Sequence, residues 1–257
     1  MLEGSVTAYY SEGAHAQADS LVSLLGQSVD FFEREVGLHE DFSIAVLDPD
    51  SWAKLTPIPY GLPFVSGPPY VVCFPADTNH ELHRLISQGI AGSVFSAESG
   101  LEETERVNVF VSLIGFHELG HIYSRKMGLT YPNNWIFEFM ASYFAYFYLD
   151  EHFPCYGQVW EETCAYLARR IEPAYRTLGD FERLYVRVGV ETYAWYQMVF
   201  LLRVAEVFRV EGGQFLRTLK DHEWEKTSED FHVGEMEQLM PGFLDWTGRF
   251  NMLETHK

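Results

Sequence analysis

The sequence predicts an α+β fold: a small mixed or antiparallel N-terminal sheet with a helix, packed on a mostly α-helical C-terminal half. Three observations carry this expectation. The chain opens with an extended run, an amphipathic helical run and a second extended run; a stretch dense in proline and glycine follows; from about residue 101 long apolar helical segments take over.

Residues 5–10 ("SVTAYY") read as extended. Leu21, Leu24, Leu25, Val29, Phe32 and Val36 then recur at helical spacing, which predicts one helix ending at Gly37. "FSIAVLD" is a short apolar strand candidate bounded by acidic residues and Pro49. In "TPIPYGLPFVSGPPYVVCFPAD" the prolines and glycines forbid a helix, and only "YVVCF" suits a strand. Its flanking prolines place it at a sheet edge, residues 70–74, with loop 57–69 as the rim of a cleft. An exposed edge beside a cleft can pair with an extended peptide.

"LEETERVNVFVSLIGFHELGHIYSRKMG" reads as one long helix, its glutamate-rich start and Lys/Arg-containing end matched to the helix dipole, with Gly128 as the stop. "NNWIFEFMASYFAYFYLDEHF" is a second, very apolar helix, capped near Asn133 or Asn134 and ended by Pro154. Residues 155–171, 190–210 and 235–250 read as further helices. The organisation expected is an α/β subdomain over residues 1–100 and a helical subdomain over 101–257, forming one compact unit.

With 47% hydrophobic and 16% aromatic residues, the 257-residue chain has the composition of a folded globule. A formal charge of -19 argues against nucleic-acid binding, because a phosphate backbone is repelled, and favours basic peptides or protein segments as partners. Cys73, Cys155 and Cys164 have no metal-knuckle spacing and are expected to be reduced thiols. Neither a secretory leader nor a membrane-spanning run of about 18 apolar residues is visible, so a cytoplasmic location without membrane contact is expected.

The chemistry concentrates in "HELGH". Side chains four apart on a helix share a face, so His117 and His121 can present nitrogens to one ion. Glu118 projects about 100° round from His117, where a carboxylate can reach a metal-bound water. Val109, Val111, Leu113, Ile114, Phe116, Leu119 and Ile122 make this helix apolar nearly all round, and histidines buried with it need partners, which a zinc ion supplies. A metzincin site would need a glycine and a third histidine downstream, but Ser124 and Met127 stand there.

"NNWIFEFMASYFAYF" resembles the Trp-x-x-Glu-Gly-Phe-Ala-x-Tyr-Phe segment of the gluzincin metallopeptidases, the superfamily of thermolysin and the aminopeptidase N-like enzymes. Trp135, Glu138, Ala141, Tyr143 and Phe144 fall on matching places. The resemblance implies a thermolysin-like catalytic domain, Glu138 as third zinc ligand and Glu118 as general base. Phe139 replaces the family's glycine, and Ser142 replaces the acid that orients a ligand histidine, which implies either a weaker metal affinity or a backbone carbonyl in that role. "GVETYAWYQMVFLLRVAEVF" resembles the segment whose tyrosine donates to the oxyanion, which by register is Tyr193, with Tyr196 in reserve.

The resemblance spans roughly residues 70–200. No Gly-x-Met-Glu-Asn anchor for a free substrate amine is present, which argues against aminopeptidase activity. The function implied is a zinc-dependent peptidase acting on a peptide or protein substrate. Its alternatives are a catalytically weak or inactive zinc-binding module that acts in protein binding, and a metal-free scaffold in which Glu138 bridges the two histidines. His80 and His83 read as a solvated surface pair, and Asp150, Glu151 and His152 as an exposed helix end.

Overall fold

A computed structural model describes residues 6–77, 80–90, 102–127, 133–222 and 233–252. Its architecture is α+β, with a four-stranded sheet near the N-terminus and helices over the rest. Strand β1 (Thr7–Tyr10) leads into helices α1 (His15–Leu25) and α2 (Ser28–Val36), then β2 (Phe42–Leu47), the short α3 (Pro49–Leu55), β3 (Phe64–Ser66) and β4 (Tyr70–Pro75). Helices α4 (Glu81–Ile90), α5 (Glu103–Lys126), α6 (Asn134–His152), α7 (Pro154–Ala168), α8 (Leu178–Leu184), α9 (Val190–Glu211), α10 (Gln214–Lys220), α11 (Val233–Leu239) and α12 (Phe243–Met252) follow.

The strand order is β1-β2-β4-β3, with β3 antiparallel to β4 and the other pairs parallel. The mixed sheet expected from the sequence is present, but the edge assignment needs correction. Residues 70–75 form an inner strand flanked by β2 and β3, and the edge beside it is β3, formed within the segment expected to be a loop. The physical reason lies in where the prolines fall. Pro68, Pro69 and Pro75 bracket the run, so Val71 to Phe74 keep every amide and can pair on both sides.

Sheet alternation divides the side chains cleanly. Ala8, Ile44, Val46, Val72 and Phe74 join the main core with the helices, while Ala45, Cys73 and Phe64 face Trp52 in a second cluster under α3. The main core runs from Val6 to Trp246, through both halves of the chain. The boundary expected near residue 100, and Gly128 as a helix stop, lie outside the described residues.

The single helix expected over 15–36 is two. Ser28 donates its hydroxyl to the Leu25 carbonyl at 2.6 Å, taking an acceptor that a continuous helix would use, and Gly37 ends the second piece in a left-handed conformation as its position suggested. The segment 235–250 is likewise divided, at Pro241 and Gly242, whose φ of 93° no helix accommodates.

Helices α5 and α6 form the central pair. Gly120, inside the HELGH run, lets their backbones meet: a β-carbon there would lie 1.9 Å from the Ala141 carbonyl oxygen. Glu182 of α8 fixes the start of α6, accepting from the backbone amides of Asn134 at 2.9 Å and Trp135 at 3.3 Å, where a carboxylate also meets the positive end of the helix dipole. Since backbone atoms rather than a flexible side-chain tip oppose Gly120, Gly120→Ala is expected to cost about 1–3 kcal/mol in urea unfolding. An unchanged midpoint would show that the two helices have slack.

Candidate metal centre

Two turns of α5 and one turn of α6 supply the site. His117 and His121 stack along one face of α5, their rings in edge contact at 4.7 Å. Glu138, on α6, is buried between them: its Oε2 lies 2.9 Å from His117 Nε2 and 3.5 Å from His121 Nε2. The structure thus brings together His117, His121 and Glu138, with Glu118 beside them. Donor atoms of His117, Glu118 and His121 all fall within 4.8 Å of one another.

These donors suit a divalent cation. Ligand atoms about 2.1 Å from a tetrahedral centre stand roughly 3.4 Å apart, close to the spacing of the histidine nitrogens from Oε2, and two imidazoles with one carboxylate form a common zinc donor set. The orienting partner of His117 differs from expectation. Ser142 itself fills the place, its Oγ 3.0 Å from His117 Nδ1, so a side-chain hydroxyl stands where the resemblance implies an acid. His121 is held differently: its ring stacks on Phe137 at 4.3 Å, and its buried Nδ1 has no hydrogen-bond partner among the described residues.

Burial raises the proton affinity of the Glu138 carboxyl, yet the adjoining His121 and His117 outweigh it and hold this group well below the usual carboxylate range. Glu118 moves the other way. Its burial dominates over both histidines and lifts its pKa, the direction a general base requires. Burial lowers the proton affinity of His117, but the hydrogen bond and charge of Glu138, with the charge of Glu118, overcome it and leave the pKa raised. Cys73, on the neighbouring strand, is pushed up to about 12 by burial and then by Glu118, so it remains a thiol.

No protein-family model, curated protein or solved structure matches the chain.

Glu118 meets the sheet as well as the histidines: its Oε2 accepts the backbone amide of Val65, on edge strand β3, at 3.0 Å. The segment expected to form a cleft rim thus reaches the site as a strand. Tyr193 lies at the site too, stacked on Phe181 at 6.0 Å and close enough to Glu138 and Glu118 for burial and their charges to keep its hydroxyl protonated. Tyr196 does not. Its ring is fully buried and its hydroxyl donates to the Thr177 carbonyl at 2.6 Å, which makes it part of the core.

Two further residues touch Glu138. Tyr185 donates its hydroxyl to Oε1, and Gln197 donates its side-chain amide to Oε2 at 2.9 Å. Tyr185 has φ 46° and ψ -121°, the only positive φ among the described non-glycine residues. Such a backbone costs about 1–3 kcal/mol and persists only where its surroundings enforce it. No motif marks Tyr185 in the sequence. Gln197 carried one signal, its position one helical turn after Tyr193.

The other histidines fall elsewhere. His80 is buried rather than solvated, and its Nδ1 accepts the backbone amide of His83 at 3.2 Å, capping α4. His83 faces Asn108, its Nε2 2.8 Å from the amide oxygen. His152 packs partly buried against Phe31 and Tyr148, while Asp150 and Glu151 are exposed.

The raised proton affinities of His117 and Glu118 have a pH consequence in metal-free protein. A group whose folded pKa exceeds its unfolded one adds stability at low pH and loses it as pH rises through the folded value, from 6.5 upward for His117 and from 4.5 upward for Glu118. Glu138 is ionised in both states above 4.5 and adds no slope there. With chelator present, unfolding free energy should therefore decline as pH rises above about 6.5, and His117→Gln should flatten the decline. A flat wild-type profile would rule out the raised proton affinity of His117.

Proposed function

We propose that the chain is a zinc-dependent peptidase of gluzincin type, with His117, His121 and Glu138 as ligands and Glu118 as general base. One observation carries the reading: a glutamate from a second helix lies between two histidines of HELGH, as the resemblance implies, and those histidines hold its proton affinity low. The antiparallel edge strand beside the base supports it. β3 offers backbone groups to an extended substrate, the role the sequence suggested for residues 70–74.

When bound, zinc polarises a carbonyl and lowers the pKa of water to about 7. Glu118 takes the proton from the attacking water and hands it to the leaving nitrogen, a task suited to a carboxylate whose proton affinity burial has raised. Tyr193 donates its hydroxyl to the developing oxyanion; single donors of this kind contribute about 2.7–4 kcal/mol elsewhere. Ser142 holds the ring of His117, and the negative surface draws basic substrates. Among the described residues no helix is long and apolar enough to cross a membrane.

A second reading, a metal-free scaffold, is favoured by the direct 2.9 Å contact between His117 and Glu138, which satisfies both groups without an ion. Elemental analysis of protein purified without added metal separates the two. About one zinc per chain is expected, sharply reduced in Glu138→Ala. Zinc-free protein, even after supply and dialysis, would leave the scaffold standing. Glu118→Gln should retain the metal and lose hydrolysis of a fluorogenic peptide library by several orders of magnitude. Wild-type protein that binds zinc but cleaves no peptide would favour the inactive binding module.

A further inference from the structure

We infer that Tyr185 and Gln197 act as a clamp that makes Glu138 a one-oxygen ligand, so that the cation it helps to hold keeps an open coordination position. The inference rests on the metal reading above and names two positioning residues that no motif marks.

Each oxygen of Glu138 can accept two hydrogen bonds, and a carboxylate beside a cation can bind through one oxygen or both. Here the oxygens are differentiated. Oε2 faces both histidine nitrogens and takes the amide of Gln197, whereas Oε1 accepts the Tyr185 hydroxyl. Oε2 already faces the histidines and keeps a free acceptor site beside its bond from Gln197, whereas swinging Oε1 toward a cation would take the Tyr185 hydroxyl's acceptor away. The clamp therefore presents Oε2 alone.

The backbone at Tyr185 argues independently. A position with φ 46° is one where glycine is at ease, yet a tyrosine occupies it. The ring is braced edge-on against Phe181 at 5.6 Å and Tyr193 at 6.2 Å, which aims the hydroxyl at Glu138. Gln197 approaches from α9, so the two donors come from separate elements. A structural tyrosine needs no such conformation, and the side chain is what the strained turn delivers.

The test uses cobalt, whose visible absorption reports coordination number, added to metal-stripped full-length protein. Wild type is expected to take one cobalt with the intense band of a low-coordinate site. Tyr185→Phe, folded by circular dichroism, should still take one cobalt, but its band should weaken as Glu138 chelates through both oxygens. Gln197→Met should weaken the band in the same sense, and it decides the matter alone if Tyr185→Phe does not fold. Folded variants that match wild type in spectrum would overturn the clamp and leave the metal reading intact. A wild-type chain that takes no cobalt would overturn both.

Discussion

The site depends on how closely α5 approaches α6. With no side chain at Gly120, the backbone of α5 rests on the Ala141 carbonyl, and this contact sets the distance between two histidines on one helix and a glutamate on the other. The flanks hold the approach in place. Large aromatic side chains of α6 lie fully buried around the junction, Trp135, Phe139, Tyr143 and Phe144 among them, and Glu182 fixes the first turn of that helix. Close packing of this kind moves as a block rather than flexing residue by residue.

Placing ionisable groups inside such a block is costly unless each finds a counterpart. Here the proton affinities of two carboxylates move apart, because the histidines outweigh burial at Glu138 and burial outweighs them at Glu118. Two glutamates a few ångströms from the same imidazoles thus differ in proton affinity through environment alone. That separation of proton affinities assigns one as ligand and the other as proton carrier in the proposed reaction.

Much of this was legible in the sequence, and the remainder was hidden for identifiable reasons. The i, i+4 histidines, the apolar surroundings of their helix and the boundaries of α6 follow from periodicity and caps. Glu138 was reached through a resemblance of short segments, and the structure places it between the histidines. The edge position expected for residues 70–74 is not found because prolines at the ends of a run resemble prolines within it, and the same composition conceals β3. Ser142 looked like a loss because a hydroxyl is not the acid usual at that place, although it makes the same hydrogen bond. Tyr185 reaches Glu138 through a positive-φ turn that no sequence pattern encodes.

The bond between Val65 and Glu118 joins two events that are usually separate. The Val65 amide is a donor on the open side of β3, and it now holds the oxygen of the proposed base. Any carbonyl that docks on that amide competes with Glu118 for one hydrogen atom. By thermodynamic reciprocity, whatever favours docking frees the carboxylate to the same degree, and whatever neutralises the carboxylate eases docking. In the proposed reaction the sheet edge and the base form a single equilibrium, with recognition of a backbone at one end and availability of a proton acceptor at the other.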